Sequence, residues 1–250
     1  MNVNEHEPSA GLFTAVYESD ENAVVGRLRA GADPEATDED GQSVLYLAAL
    51  QDEPGIVRLL LAAGARPDRL SAGIDAPLCG AACGGHLEVV RALLAGGAKP
   101  DLVEEGGFTA LTWAVLGGHA EVVEALLAAG AHPDRSGPSD EPPLVTAARR
   151  GSPSCVRALL AHGARARAQA LAEARRWSAL DVAAELRASL ERLHGTGHEV
   201  TVRRVPAADG GTTVVVELVV DGRAVAGDDR QTGHAEIVGL LEGAGYGGRA

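Results

Sequence analysis

Apolar residues return at spacings of three and four within short segments of this chain, and the segments themselves return at a fixed interval. In one of them, Val89, Val90, Leu93 and Leu94 fall on one face of a helix. Two sets of residues keep an interval of 33: Gly31, Gly64, Gly97, Gly130 and Gly163, and Leu12, Leu45, Leu78, Leu111 and Leu144. Such an interval predicts one supersecondary unit copied five times, each copy burying its apolar face against its neighbours.

Each copy contains two apolar segments with a short polar or glycine break between them. The second segment is amphipathic and ends at the periodic glycine, which suits the left-handed position after a helix. A proline beside an aspartate then stops the helix in four copies, at Asp33-Pro34, Pro67-Asp68, Pro100-Asp101 and Pro133-Asp134. Each copy is therefore predicted to run helix, turn, helix, long loop.

One copy in particular, TALTWAVLGGHAEVVEALLAAGAHPD at 109–134, resembles the ankyrin repeat, whose pattern is T-P-L-H-x-A-A-x-x-G-H-x-E-V-V-x-L-L-L-x-x-G-A. The resemblance extends over five repeats, about residues 9–166, with many positions matching in register. It implies a mainly α-helical ankyrin-repeat solenoid of L-shaped helix-turn-helix units. In that family, loop fingers and first helices form a concave face that usually binds proteins.

The chain departs from the family pattern on its first helices. The histidine of T-P-L-H is replaced by Tyr46, Cys79, Thr112 and Val145, which puts in doubt the inter-repeat hydrogen bond that it makes in the family. At the next position, Trp113 stands one repeat after Gly80, and we predict that its indole fills the space beside that glycine. The alternative is an exposed Trp113 that anchors a partner.

The resemblance, transferred position by position, implies partner-binding residues on the fingers and first helices. They are Glu39, Asp40, Gln42, Leu50, Gln51, Asp75, Glu105, Phe108, Leu116, Glu141, Arg149 and Arg150. The loops 33–42, 66–75, 99–108 and 132–141 carry net charges of −5, 0, −2 and −2, which is most of the chain's net charge of −13. We therefore hypothesise a basic protein or peptide partner, with Phe108 and Leu116 as an apolar anchor inside an acidic rim. The alternative is that acidic loops only keep a repeat protein soluble.

The segment after the repeats is predicted to begin with one or two helices, since residues 164–194 contain neither glycine nor proline. An apolar stripe marks its second half, at Val182, Leu186, Leu190 and Leu193. This segment is either a plain helical cap or a degenerate sixth repeat, in which residues 178–186 would form the first helix.

A small β-meander plus helix is predicted to follow. Residues 199–205 and 212–220 are β-branched, and Asp221-Gly222 suits a hairpin turn before a short third strand at 223–226. Residues 232–245 form a final helix, whose HAEIV is similar to the second ankyrin helix, before a frayed tail. The expected divisions are 1–8 (disordered), 9–166 (repeats), 167–194 (cap or sixth repeat) and 195–250 (meander and helix).

Composition narrows the function further. The acidic balance disfavours nucleic acid and anionic membranes as partners, and no apolar run is long enough to span a bilayer. The first residues lack the basic start and apolar run of a secretion signal, and three cysteines are too few for a disulfide framework. A single lysine among 22 basic residues suggests a GC-rich, bacterial source. We expect a monomeric cytoplasmic protein.

Chemistry-bearing residues form no signature that we recognise. Cys79, Cys83 and His86 lie near one helix face, but no fourth ligand is visible, so we predict no metal site. We likewise predict no cofactor, no catalytic residues and no enzyme activity. The leading interpretation is a protein–protein interaction module, an adaptor or regulator. The alternative is an enzyme or ligand sensor whose C-terminal module, with candidates that include Arg204, Asp228 and His234, carries the activity.

Overall fold

The chain folds mainly into helices, with one three-stranded antiparallel sheet near its C-terminus. The computed structural model describes residues 7–207, 211–220 and 223–243. The predicted fold class, a helical repeat array with a small C-terminal meander and helix, is confirmed. The predicted Asp221-Gly222 turn and the tail from residue 244 lie outside the described residues. The chain divides into two compact units, an N-terminal unit (residues 1–140) and a C-terminal unit (residues 141–250).

The N-terminal unit contains four helix pairs. The helices are α1 (Glu7–Tyr17), α2 (Glu21–Arg29), α3 (Val44–Leu50), α4 (Pro54–Ala62), α5 (Pro77–Gly84), α6 (Leu87–Ala95), α7 (Ala110–Gly117) and α8 (Ala120–Ala128). First helices stack in the order α1, α3, α5, α7, and second helices in the order α2, α4, α6, α8. Each pair therefore packs on its neighbours in chain order, as in a solenoid.

The periodic leucines form the core of the N-terminal unit. Leu12, Leu45, Leu78 and Leu111 are all at most 3% exposed. Small residues around them, such as Ala81 and Ala114, are fully buried and let neighbouring first helices approach closely. The core therefore uses alanine, leucine and valine where other folds use aromatic side chains.

The periodic glycines have a backbone role. All five have φ between 86° and 103°, the left-handed region that ends a helix without cost only for glycine. A Cβ at any of them would meet nothing within 4 Å. The interval of 33 thus records a backbone conformation, not a lack of space.

Successive repeats are joined by acidic side chains in the loops. One carboxylate in each of three successive loops accepts a hydrogen bond from a backbone N–H 31 residues later. The pairs are Glu35 with Arg66 (2.6 Å), Asp68 with Lys99 (2.9 Å) and Asp101 with His132 (3.0 Å). Part of the acidity of the loops therefore serves to join repeats.

The C-terminal unit begins with a fifth helix pair and continues with three further helices and the sheet. Its elements are α9 (Pro143–Arg150), α10 (Pro153–Ala161), α11 (Arg167–Ser178), α12 (Val182–His194), β1 (Glu199–Pro206), β2 (Thr212–Val220), β3 (Arg223–Gln231) and α13 (His234–Gly243). α11 packs on α9, and α13 packs on both α10 and α11. These are the contacts that the first and second helices of a sixth repeat would make.

A repeated histidine contact supports this sixth repeat. In the N-terminal unit, His119 Nε2 lies 3.1 Å from the carbonyl oxygen of Cys83 in the preceding repeat. In the C-terminal unit, His234 Nε2 lies 3.1 Å from the carbonyl oxygen of Arg149. Cys83 and Arg149 are 66 residues apart, which is two intervals of 33. His234 therefore starts α13 as His119 starts α8, and the sixth repeat is split by α12 and the sheet.

The outer face of α13 carries a charged residue where α8 has an apolar one. Glu242 stands where α8 has the buried Leu127, and its carboxylate forms a 2.7 Å ion pair with Arg175. Ile237 and Leu241, on the inner face, remain buried. This position is therefore charged in α13, whereas the corresponding position of α8 is apolar and buried.

α12 packs on the inserted sheet instead of joining the repeats. Leu186 and Leu190 meet Val214, Val216 and Leu218 in a separate small core. The predicted apolar stripe is therefore shorter than expected, because Leu193 is 75% exposed beyond this core. The third strand is longer than expected and runs to Gln231, since it pairs with β2 from Thr213 to Val220.

Candidate partner-binding surface

Three finger loops of the N-terminal unit are tied to one another through their backbones. Antiparallel bridges between Thr37 and Ser43 and between Ser71 and Asp75 close the first two loops into tight turns. Ala72 N–H donates to Gly41 C=O (2.7 Å), and Glu105 N–H donates to Ile74 C=O (3.2 Å). Because each finger bonds to the next, the loop tips form a connected row.

A buried carboxylate organises the base of the third finger. Glu104 is 7% exposed and accepts a 2.5 Å hydrogen bond from Trp113 Nε1. The Trp113 ring stacks on Phe108, with ring centroids 4.3 Å apart and an interplanar angle of 23°. One face of Phe108 is thereby covered, and the two half-buried aromatic rings are fixed together.

The prediction that Trp113 fills the space beside Gly80 is wrong. A Cβ at Gly80 would lie 2.9 Å from Tyr46 Cε2 and 3.1 Å from Leu50 Cδ2, so side chains of the preceding repeat occupy that space. The hydrogen bond to Glu104 turns the indole toward its own finger instead. Trp113 is half-buried, neither a core residue nor a free anchor.

The nearby thiols and phenol are kept neutral. Burial, and then the charges of Asp75 and Glu104, raise the pKa of Tyr46 to about 12. Burial and the Glu104 carboxylate also raise the pKa values of Cys79 and Cys83. Protonated thiols are poor nucleophiles, so this surface is suited to recognition and not to thiol chemistry.

The acids of the finger loops fall into two classes. Glu35 pairs with Arg66 (2.8 Å) and Arg69 (3.2 Å); burial would raise its pKa, but the Arg66 N–H and the two guanidinium charges lower it. Asp68 and Asp101 are also ion-paired. The other acids of the three fingers form no ion pair within the described residues. Asp33, Asp38 and Glu104 accept hydrogen bonds from nearby N–H groups, whereas Glu39, Asp40, Asp75 and Glu105 do neither. The unpaired negative charge is therefore concentrated at the finger tips.

We define the finger surface as the exposed and half-buried side chains of the fingers and first-helix ends in the N-terminal unit. It comprises Glu39, Asp40, Leu50, Ile74, Asp75, Glu105, Phe108 and Leu116. Glu39, Asp40 and Glu105 are exposed, and Leu50 and Ile74 are each 41% exposed. The finger surface thus combines acidic and apolar side chains.

The other residues expected at the surface are half-buried or bonded to neighbouring groups. Gln42 and Gln51 are half-buried, beside the Ser43 turn and at the end of α3. Glu141, Arg149 and Arg150 belong to the C-terminal unit: Glu141 accepts hydrogen bonds from Thr146 (2.5 Å) and Arg149. Arg150 bonds to the carbonyl (2.8 Å) and carboxylate (2.9 Å) of Asp229 in β3. We therefore leave these residues out of the finger surface.

Sequence reasoning missed three contributors to this region. Ile74 is an exposed apolar residue at a finger tip, Tyr46 packs over Gly80, and Glu104 holds the Trp113 indole. An isoleucine inside the polar segment Ser71–Asp75 was an available signal for the first. Nothing in the sequence distinguishes the buried Glu104 from the exposed Glu105 beside it.

Comparison with protein-family models gives one match, described as ankyrin repeats (3 copies), over residues 12–102 and again over 69–137. The two matched stretches together span just over half of the 250 residues. The chain belongs to the ankyrin-repeat family. None of the curated proteins matches this ankyrin-repeat protein.

The family model ends inside the loop before α9, so the fifth and sixth repeats rest on the structure. Ankyrin repeats are protein–protein interaction modules, and protein binding is the general function to which the family points. Among the described residues, no group of three or more His, Cys, Asp or Glu side chains could hold a metal ion. The helices that the structure describes are all too short or too polar to cross a membrane.

Proposed function

We propose that this ankyrin-repeat protein is a non-enzymatic cytoplasmic adaptor or regulator that binds a partner protein through the finger surface. One observation carries the proposal: Glu39, Asp40, Asp75 and Glu105 form neither an ion pair nor a side-chain hydrogen bond within the described residues, whereas the other acids of the three fingers are bonded to neighbouring groups. Unpaired carboxylates beside exposed apolar side chains suit a partner with basic residues around an apolar segment.

The apolar part of the contact is supplied by Leu50, Ile74, Phe108 and Leu116. Phe108 is held by its stack on Trp113, and Trp113 is held by Glu104. A side chain fixed in the free protein loses little entropy when a partner binds. Phe108 is therefore suited to be an anchor, with the finger acids steering a basic partner toward it.

A pair of matched charge-reversal variants tests the proposal. Glu39→Lys/Glu105→Lys reverses two unpaired finger acids, and Glu18→Lys/Glu121→Lys reverses two exposed acids outside the finger surface with the same change in net charge. Proteins retained from a lysate of the source cells by wild type should be lost with the first variant and kept with the second.

The outcome depends on the difference between the two variants. Equal retention by all three proteins would contradict binding at the finger surface. Equal loss with both variants would show that only overall charge matters, and would support the alternative in which the acidic loops act through solubility.

A further inference from the structure

A cavity of about 330 Å³ lies in the C-terminal unit, where the inserted segment meets the split sixth repeat. It is lined by Trp177, Ser178, Leu180, Asp181, Val182, Ala183, Arg204, Val214, Thr232, His234 and Ala235. These residues come from the end of α11, the start of α12, the sheet and the first turn of α13. Its volume is at the lower end of the range for small-molecule sites.

The lining contains one arginine, Arg204, that has no ion-pair partner within the described residues. Arg204 forms no ion pair or side-chain hydrogen bond within the described residues. The register places Arg204 opposite Val214, and Val214 opposite Arg230, so all three lie on the face of the sheet that packs against α12. Two guanidinium groups therefore flank the cavity wall formed by Val214.

A second lining group is an unused donor. Trp177 is 6% exposed, and its indole N–H has no hydrogen-bond partner within the described residues. A buried donor without an acceptor is costly unless something else supplies one. The first residues of the ten-residue helix α13 also line the cavity, and the N–H groups of a first helical turn have no partners within their own helix.

The remaining polar groups of the lining are already engaged. Asp181 Oδ1 accepts from the N–H groups of Ala183 (3.0 Å) and Ala184 (3.3 Å) as the cap of α12. Thr232 Oγ1 donates to Thr212 C=O (3.1 Å). His234 Nε2 must carry the proton, because its partner, the carbonyl oxygen of Arg149, can only accept. The donors left over are the Arg204 guanidinium, the Trp177 indole N–H and the first N–H groups of α13, beside two acceptors, Asp181 Oδ2 and His234 Nδ1.

Four lining residues give the cavity an apolar surface. Leu180, Val182, Val214 and the Trp177 ring provide aliphatic and aromatic surface. The Trp177 ring has two further contacts: His234 stacks on it at a centroid distance of 5.8 Å, and the Arg230 guanidinium lies 4.0 Å from the ring centroid. These contacts hold the ring in place without any ligand.

We propose that this cavity binds a small organic carboxylate. Its charged group is held by Arg204 with free N–H donors of the lining, and its apolar part lies against Leu180, Val182 and Trp177. The proposal goes beyond partner binding, since it gives the ankyrin-repeat protein a ligand site in a separate compact unit. Of the three candidates for a C-terminal site, Arg204 and His234 both line the cavity. The third, Asp228, lies outside the lining and pairs with Arg150 and Arg230.

The two tryptophans of the chain make a direct test possible by NMR. The full chain gives two indole N–H signals, and a Trp113→Phe variant assigns them. Benzoate is titrated as the probe, with benzamide as the neutral control of the same shape and inorganic phosphate as an anion without an apolar part. The Trp177 signal should shift saturably with benzoate, while the Trp113 signal in the N-terminal unit stays fixed.

Two arginine variants of equal charge complete the test. Arg204→Gln should weaken benzoate binding about tenfold or more, because it removes a charged hydrogen-bond donor. Arg203→Gln should leave it within about twofold, because Arg203 pairs with Glu217 (2.9 Å) and its register partner, Val215, is outside the cavity lining. Binding of phosphate but not benzoate, equal binding of benzamide, equal losses in both variants, or no saturable shift of Trp177 would each overturn the proposal.

Discussion

At the scale of single residues, two hydrogen bonds give partners to buried polar side chains. Glu104 is the acceptor for the Trp113 indole, and through it Phe108 is fixed on the finger surface. In the C-terminal unit, His234 donates to Arg149 C=O and stacks on Trp177. Each contact depends on one side chain, Glu104 or His234, so a single substitution should measure its contribution to stability.

Substitution of Glu104 should destabilise the N-terminal unit. Glu104→Ala leaves the Trp113 N–H without its acceptor, and we expect a loss of about 2 kcal/mol in the free energy of unfolding. Glu105→Ala, one residue later and exposed, should change it by less than about 0.5 kcal/mol. Urea denaturation followed by Trp113 fluorescence in a Trp177→Phe background measures both. Equal effects would mean that Glu104 has no structural role.

The stability of the C-terminal unit should depend on pH through His234. Burial lowers the pKa of His234, the Arg149 carbonyl opposes this, and the Arg230 charge lowers it further. Because the unfolded chain then binds more protons below about pH 6.5, stability should fall as pH drops from there toward the folded-state pKa. Above about pH 7 the contribution is constant.

The control for this prediction is His234→Gln, which keeps an N–H donor but does not titrate. Wild type should lose more free energy of unfolding than the variant between pH 7.5 and 5, as measured by urea denaturation followed by Trp177 fluorescence in a Trp113→Phe background. Parallel pH profiles for the two proteins would contradict the lowered pKa.

At the scale of elements, the split sixth repeat explains why the chain changes character after residue 166. α11 and α13 complete the array, and α12 with the sheet is inserted between them. The insertion has its own core around Leu186 and Val216, so it does not disturb the packing of the repeat. A ligand cavity where the insertion meets the repeat is a consequence of this arrangement.

Two glycines test the packing of the sixth repeat on the fifth. Gly151 and Gly163 both have positive φ, 75° and 86°, so alanine strains the backbone at each by about 1 kcal/mol. At Gly151 a Cβ would also lie 2.2 Å from Gln231 C=O and 2.7 Å from His234 Cε1. At Gly163 it would meet nothing within 4 Å.

Gly151→Ala should therefore cost at least about 2 kcal/mol more than Gly163→Ala in chemical denaturation. The difference measures how closely Gln231 and His234 approach Gly151, and so the packing of the sixth repeat on the fifth. Equal losses in the two variants would show that the sixth repeat is not packed against Gly151.

The repeats could be read from the sequence, but the interruption could not. The interval of 33 and the helix periodicity depend on local rules. The helix-ending role of Gly31 and the core position of Leu45 could therefore be predicted from the sequence. The similarity of residues 234–238 to a second ankyrin helix was visible too. Its first helix, however, lies some 56 residues earlier, at Arg167–Ser178, and only tertiary packing brings the two together. Residues 178–186, expected as a first helix, instead cap and start α12.

The finger surface was predictable in part for a similar reason. Family positions located Glu39, Glu105 and Phe108, because loops and first-helix ends are fixed by the repeat. Ion pairs are not fixed by the repeat. The pairing of Arg150 with Asp229, 79 residues later, therefore had no local signal in the sequence. The same is true of the Arg204 environment, which depends on strand register.

At the scale of the whole molecule, the acidic side chains of the fingers divide into bonded and unpaired groups. Carboxylates such as Glu35 and Asp101 join repeats, and those at the finger tips remain available. A net charge of −13 should draw basic partners over long distances. The finger acids should decide where such a partner binds.

Binding of the partner should weaken as salt is raised. Exposed charges more than about 8 Å apart are largely screened at physiological ionic strength. We therefore expect a purified partner to associate more slowly and less tightly at 500 mM than at 50 mM sodium chloride, as measured by surface plasmon resonance. An association rate that is indifferent to salt would rule out acidic recruitment.

The most direct test of the account is hydrogen–deuterium exchange of the full chain with and without its purified partner. The account predicts slower exchange at the three finger tips, residues 38–42, 71–75 and 104–108, and at the C-terminal ends of α3 and α7. Exchange in α4, α6 and α8 should not change. Protection confined to those second helices or to the C-terminal unit, with the finger tips unchanged, would contradict the proposal that the finger surface binds the partner.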